Sequence, residues 1–201
     1  PVSRLQDALR EHGQFLAVDP PLPDRATVGG VLAVGASGPL KWQYGSPRDL
    51  VMGMKVVSAD GILTKSGGRV VKNVSGYDLN KLYIGARGSL GILLDVTFRL
   101  QPLPEKVQIF SVPHDSLHDA FQTASTGSRL PLMVETVVLR KSPDWEVTIK
   151  IAGGEEVRKT VEDAIPGDIS WGREVNYSEN SDSLYDINIS VPKSYLKSFF
   201  K

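Results

Sequence analysis

The sequence predicts an α+β protein built from two successive units. Three observations carry that reading. Residues 50–68 alternate apolar and polar side chains on either side of Asp60-Gly61, the pattern of an antiparallel hairpin. Residues 94–100 alternate again, with Leu94, Val96, Phe98 and Leu100 set against Asp95, Thr97 and Arg99, as in a half-exposed antiparallel strand. After "PLPEK" at 102–106 the rhythm becomes strand, helix, strand, strand, helix, strand, the β-α-β-β-α-β plan of ferredoxin-like domains. The boundary is expected there, giving units 1–104 and 105–201.

Taken in order, "SRLQDALREH" at 3–12 reads as a helix with Leu5, Ala8 and Leu9 inward. His12 closes it, where a cation suits the dipole, and Gly13 stops it. "FLAVDPPLPDR" follows, an apolar run into a proline-rich turn. "ATVGGVLAVGASGPLKWQYGS" at 26–46 is too apolar for a linker and too glycine-rich for regular structure, so it is expected to be an ordered loop built against a partner. Beyond the hairpin, Asp78 is placed as an N-cap, Leu79, Leu82 and Tyr83 as one apolar helix face, and Gly85 as the stop. In the second unit "VQIFSVP", "MVETVVLRK", "WEVTIKIAGG" and "ISWGREVN" are the strands, with "SLHDAFQTAS" and "EEVRKTVEDAI" the helices. The tail "DINISVPKSYLKSFFK" starts a further strand and helix and then stops, which predicts an unfinished repeat.

Composition excludes several function classes. There are 201 residues, with 23 basic and 23 acidic side chains, so no electrostatic footprint for nucleic acid stands out. Lys193, Lys197 and Lys201, with Tyr195, Phe199 and Phe200, read as one amphipathic helix rather than a nucleic-acid patch. The absence of cysteine excludes disulfides, thiolate nucleophiles and cysteine-held iron–sulfur clusters on these residues. No apolar run reaches the length of a membrane span, and a cytoplasmic protein is expected. His114 and His118, placed at the start of a helix beside Asp115 and Asp119, read as a solvated face, and no metal site is expected.

Two glycine clusters stand out, "GGVLAVGASG" at 29–38 and "GARGSLG" at 85–91. Glycines this dense let a backbone turn with positive φ or let something approach closely. Neither cluster is a P-loop or a dinucleotide fingerprint. Alone, each reads as a structural turn or as a ligand loop; together, each joined to an apolar strand, they point toward a cofactor. Lys72, Asn73, Tyr77 and Asp78 form a polar group in which Lys72 would stabilise developing negative charge and Tyr77 would orient a carboxylate or carbonyl. A capped helix with a surface lysine accounts for the same residues equally well.

The blocks "ATVGGVLAVGASGP", "YGSPRDLVMGMKVVSADG" and "KNVSGYDLNKLYIGARGSLGILLDVTFRLQPLPEK" resemble, in order and spacing, the second subdomain of the PCMH-type FAD-binding domain of vanillyl-alcohol-oxidase type flavoproteins. The "KNVSGYD" block is most similar to the FAD-binding subunits of glycolate oxidase (glycolate dehydrogenase). The resemblance implies that 26–38 wraps the FAD pyrophosphate and ribityl chain through Ala26, Thr27, Val28, Gly29, Gly30, Ser37 and Gly38. Tyr44 and Gly45 would continue that wall, and Gly88, Gly91 and the backbone of Ile92 would hold the adenine end. The second unit would be a partial ferredoxin-like cap over the substrate side of the flavin.

The same resemblance implies FAD held non-covalently, a small 2-hydroxy acid as hydride donor, and electrons passed to an iron–sulfur subunit beside a larger FAD-binding sister subunit. A peripheral position at the inner face of the membrane would come through those partners. Lys72 and Tyr77 are the catalytic candidates, and no general base is identifiable. The sequence departs from the family pattern in lacking a preceding small α/β subdomain, in Gln43 where many relatives have arginine, and in having no asparagine near Ser37. Half a clamp is expected to hold FAD poorly by itself. The alternative is a scaffold or assembly subunit, or a truncated fragment, that keeps the fold without catalysis. Gly30→Val is expected to block flavin retention.

Overall fold

The computed structural model describes residues 1–68, 78–141 and 143–172, and the chain divides between Leu103 and Pro104 into two units. The first opens with helix α1 (Val2–Arg10), held by an apolar stripe of Val2, Leu5 and Leu9. Ala8 is exposed, contrary to expectation, and Gln6 turns inward instead. Its amide accepts from the Leu16 N–H at 3.1 Å and donates to the Leu16 carbonyl at 2.6 Å, giving that buried segment the partner a strand would supply. Gly13, at φ +65°, turns the chain into β1 (Gln14–Phe15).

The segment 26–46 is not a loop. Residues Val28–Val34 form helix α2, and Lys41–Tyr44 forms the single turn α3. Three features outweigh the poor helix propensity of Gly29 and Gly30. The Thr27 hydroxyl caps the start by accepting from the Gly30 N–H at 3.0 Å. Val28, Val31 and Leu32 make an i, i+3, i+4 face: Val31 enters the core with Val2, Leu16 and Leu50, while Leu32 enters the core with Met54, Val56 and Ile84. Gly35, left-handed at φ +67°, ends the helix while its N–H and that of Ala36 bond Leu32 and Val31 carbonyls, a Schellman closure. A further turn, α4 (Pro47–Leu50), is opened by Ser46, whose N–H and hydroxyl both donate to the Asp49 carboxylate, at 2.8 and 2.7 Å.

Strands β2 (Val51–Val57) and β3 (Leu63–Gly67) form the expected hairpin, with Gly61 at φ +80° in the turn. Helix α5 (Asn80–Tyr83) is one turn, and β4 (Ile92–Phe98) completes an antiparallel sheet of order β3-β2-β4. The short β5 (Gln101–Pro102) pairs with β1. Two expectations are corrected here. Asp78 does not cap α5 with its side chain; Leu79 and Leu82 are exposed, and Asn80 and Ile84 are the buried residues. One turn is too short to present a full i, i+3, i+4 face. In β4, a bulge pairs Val56 with Leu93 and Lys55 with Asp95, skipping Leu94. The extra residue flips the alternation, so Leu93, Val96 and Phe98 face the core and Leu94 faces out.

The second unit follows the β-α-β-β-α-β order: β6 (Val107–His114), α6 (Leu117–Gly127), β7 (Met133–Lys141), β8 (Trp145–Ala152), α7 (Glu156–Ala164) and β9 (Ser170–Trp171). Its sheet runs β7-β8-β6-β9, with every neighbouring pair antiparallel. Alternate residues Phe110 and Val112, Val147, Ile149 and Ile151, and Val137 and Leu139 share one face with Ala120 of α6 and Val157 and Val161 of α7. Each such side chain contributes roughly 1.5–3 kcal/mol on burial. The opposite face carries a buried Ser111–Thr148 hydroxyl pair at 2.9 Å and a Lys150–Glu135 ion pair at 2.8 Å, with Glu135 inserted as a bulge. His114 ends β6 rather than starting a helix, and burial lowers its pKa. The strand and helix expected in the tail lie outside the described residues.

Candidate functional site

Helix α2 and the second glycine cluster meet in a cleft of about 280 Å³ in the first unit. Gly29 and Ala33, one turn apart on α2, form one wall. Tyr83 at the end of α5, Ala86, Gly88 and Leu90 through Leu93 line the rest of it. Two backbone bonds fix the walls together: the Gly85 N–H donates to the Leu32 carbonyl at 3.0 Å and the Arg87 N–H to the Ala33 carbonyl at 2.7 Å. These carbonyls belong to the last turn of α2, where the regular i+4 donors are lacking, and the Leu32 oxygen also accepts from the Gly35 N–H. Arg48 of α4 adds a third tie, donating to the Ile84 carbonyl at 2.9 Å.

The glycines in the walls have distinct reasons to be glycine. A Cβ at Gly29 or Gly88 would meet nothing within 4 Å, so both leave bare backbone facing open space. A Cβ at Gly91, where φ is +151°, would meet the Val57 carbonyl oxygen at 2.5 Å, so this glycine lets the loop close onto β2. Ile92 is 68% exposed and Leu90 42%, an apolar rim on the cleft.

Of the residues expected at a cofactor, Gly29, Gly88, Gly91 and Ile92 are brought together in this cleft. Ala26, Thr27, Val28 and Gly30 position α2. The Ala26 carbonyl accepts from the Val2 N–H at 2.8 Å, Val28 is packed in the core, and a Cβ at Gly30 would meet the Thr27 hydroxyl at 2.9 Å. Ser37 is exposed. The Gly38 N–H donates to the Asp19 carboxylate at 3.0 Å, and Asp19 also accepts from the Leu40 N–H at 2.9 Å. Tyr44 meets Phe15 edge-on, ring centroids 5.3 Å apart, and Gly45, at φ +90°, lies against Asp49. Ser37, Gly38, Tyr44 and Gly45 are not among the described residues lining the cleft. Lys72 and Tyr77 lie outside the described residues. Sequence reasoning missed Ala33, Tyr83, Ala86, Leu90 and Leu93 as lining residues; the Gly29–Ala33 spacing of four would have flagged Ala33 had 28–34 been read as helical.

The electrostatics are spare. The Ser46 hydroxyl holds the Asp49 carboxyl below its ordinary pKa, aided by the Ser46 N–H and the Lys81 and Arg99 charges against the opposing effect of burial. Among the described residues no cluster of three or more histidines and carboxylates is placed to hold a metal, and no helix is long and apolar enough to cross a membrane. The cleft walls suit a flat, largely apolar ring system, and the bare backbone at Gly29 and Gly88 leaves room for its polar linker, so the residues fit a dinucleotide such as FAD.

Comparison with known proteins agrees. Residues 1–67 match the family described as FAD binding domain. The glycolate oxidase subunit GlcE of Escherichia coli (strain K12) is 31% identical over 169 residues, which are 84% of this chain and 47% of that protein. The mitochondrial D-lactate dehydrogenase [cytochrome] of Arabidopsis thaliana is 36% identical over 141 residues, 67% of this chain and 24% of that protein. The chain thus spans about half of the first and about a quarter of the second. In structure, an alkyldihydroxyacetonephosphate synthase superimposes with a TM-score of 0.66 at 18% identity, over 81% of this chain and 36% of that one, which shows a shared fold. The resemblance read from the three sequence blocks is therefore borne out. Residues 1–67 are thus similar to the FAD binding domain family, and FAD is the cofactor that this match supports.

Proposed function

We propose that this chain is part of the FAD-binding subunit of a 2-hydroxy-acid oxidoreductase of the glycolate type. The observation that carries the reading is the meeting of two glycine-bearing segments, some sixty residues apart, in one apolar cleft with bare backbone on both walls. FAD, when bound, would supply a hydride acceptor for C2 of a small 2-hydroxy acid and a route for the electrons to an iron–sulfur partner. The chain's own residues do the holding. Gly29 and the capped first turn of α2 approach the linker, while Gly88, Gly91 and Ile92 enclose the adenine end. Ala26, Thr27, Val28 and Gly30 set the position of α2, and Ser37, Gly38, Tyr44 and Gly45, which do not line this cleft, are proposed to meet the cofactor beyond it. Lys72 and Tyr77 remain the proposed charge-stabilising and substrate-orienting groups.

The proposed domains are 1–104 for FAD and 105–201 as a ferredoxin-like cap, supported by the β7-β8-β6-β9 order that splits the first βαβ unit. The proposed partners are a larger FAD-binding sister subunit and an iron–sulfur subunit, in the cytoplasm. The name of the relative as an oxidase subunit supports that assembly.

One observation favours a second reading, a scaffold subunit without chemistry of its own: Tyr83 is the only ionisable residue among the described residues lining the cleft. The absorption spectrum of the chain after incubation with FAD and gel filtration tests both. Retained flavin that bleaches anaerobically with glycolate or D-lactate supports the oxidoreductase. Retained flavin that no hydroxy acid bleaches supports the scaffold, and absence of any flavin binding refutes the cofactor site.

A further inference from the structure

We propose that Arg87 is a phosphate-binding residue of this cleft, its guanidinium pairing with the diphosphate of the bound dinucleotide; the inference rests on the FAD reading above. The described residues lining the cleft carry no cationic side chain, whereas a dinucleotide brings negative charge on both phosphates. Arg87 sits in the chain between Ala86 and Gly88, both lining residues, so its Cα lies at the cleft's edge.

Its backbone makes the choice of arginine notable. Gly85, Arg87 and Gly88 all have positive φ, at +87°, +54° and +77°. Glycine is the default for such a run, and a long side chain kept in the left-handed region points to a requirement other than backbone geometry. The bond from the Arg87 N–H to the Ala33 carbonyl, 2.7 Å, locks that conformation against α2.

The side chain is exposed, and among the described residues none bonds it. In the same unit Lys55 pairs with Asp95 at 2.8 Å and Lys81 with Asp78 at 3.6 Å, but no described acid pairs with Arg87. A planar guanidinium bonds a phosphate through two parallel N–H groups, which a lysine cannot reproduce. An apolar cleft that encloses a ring and one cation at its edge divides the work between stacking and charge.

The test titrates the full chain with FAD, ADP and adenosine, comparing wild type with R87Q, R87K and R87G. Arg87→Gln is expected to weaken FAD and ADP about tenfold or more, leave adenosine unchanged, and flatten the salt dependence of FAD binding. Arg87→Lys should fall between. Arg87→Gly relieves the positive φ, so it should melt no lower than wild type and still lose FAD affinity, which a merely structural role would not produce. Equal FAD affinity in wild type and R87Q overturns the proposal, as does a parallel loss of adenosine. Wild type that binds none of the three ligands overturns the cofactor reading itself, and this inference with it.

Discussion

Gly29→Val separates folding from binding at a single position. Gly29 lies in the first turn of α2 with open space where a Cβ would stand, so the added side chain displaces nothing in the folded unit. Glycine costs a helix roughly 1 kcal/mol relative to alanine and valine costs less, so the unfolding free energy should stay level or rise by a few tenths of a kcal/mol. The same open space is the mouth of a cleft of about 280 Å³, and a branched side chain there stands where the ligand linker must pass. FAD affinity is expected to drop at least tenfold, about 1.4 kcal/mol. Urea unfolding reads the first effect and a flavin fluorescence titration the second. Unchanged FAD affinity in a stably folded variant would show that the cleft is not the binding path. Gly30→Val is the poorer probe, because its side chain presses on the Thr27 cap at 2.9 Å and mixes both effects.

Thr27→Ala removes the hydroxyl that accepts from the Gly30 N–H and should destabilise the first unit by about 1 kcal/mol, read as a lower urea midpoint with unchanged slope. Gly67→Ala combines a φ of +65° with a clash against the Met52 carbonyl oxygen, and a loss of about 2–4 kcal/mol is expected in the same assay. Ser46→Ala removes the main cause of the lowered Asp49 pKa. A carboxyl depressed in the folded state stabilises it above the ordinary value of about 4, and that stability disappears as pH falls through the lowered pKa. Wild type should therefore exceed Ser46→Ala in stability at pH 7, and the gap should close as pH falls through the lowered Asp49 pKa; a gap that persists once the carboxyl is protonated would assign the effect to the neutral hydroxyl bond alone.

Period-two alternation carried the hairpin at Asp60-Gly61 and the six-element order of the second unit into the sequence unambiguously, because one face of each strand is core and the other is not. Where tertiary contacts outweigh local preference, the sequence misled. The helix Val28–Val34 is poor by propensity and exists because Val31 and Leu32 point into two different cores. Leu94 has the right residue type for burial and the wrong register, since a bulge cannot be read from a strand's own composition. The site was legible as two glycine clusters, Gly29 with Gly88 and Gly91, but not as a cavity: the apposition depends on backbone bonds between residues 32–33 and 85–87, which no local pattern encodes. Arg87 passed unnoticed because a positive φ on a non-glycine residue leaves no trace in sequence.

Those bonds also govern when the cleft exists. Leu32 and Ala33 cannot receive the Gly85 and Arg87 N–H groups until the intervening fifty residues have looped back, so the end of α2 and the opposite wall must assemble in one late, long-range event. The two walls then open together or not at all. The amide protons of Gly85 and Arg87 become natural reporters of that opening: their hydrogen exchange should slow in step when a ligand fills the cleft, by the factor that mass action assigns to its occupancy.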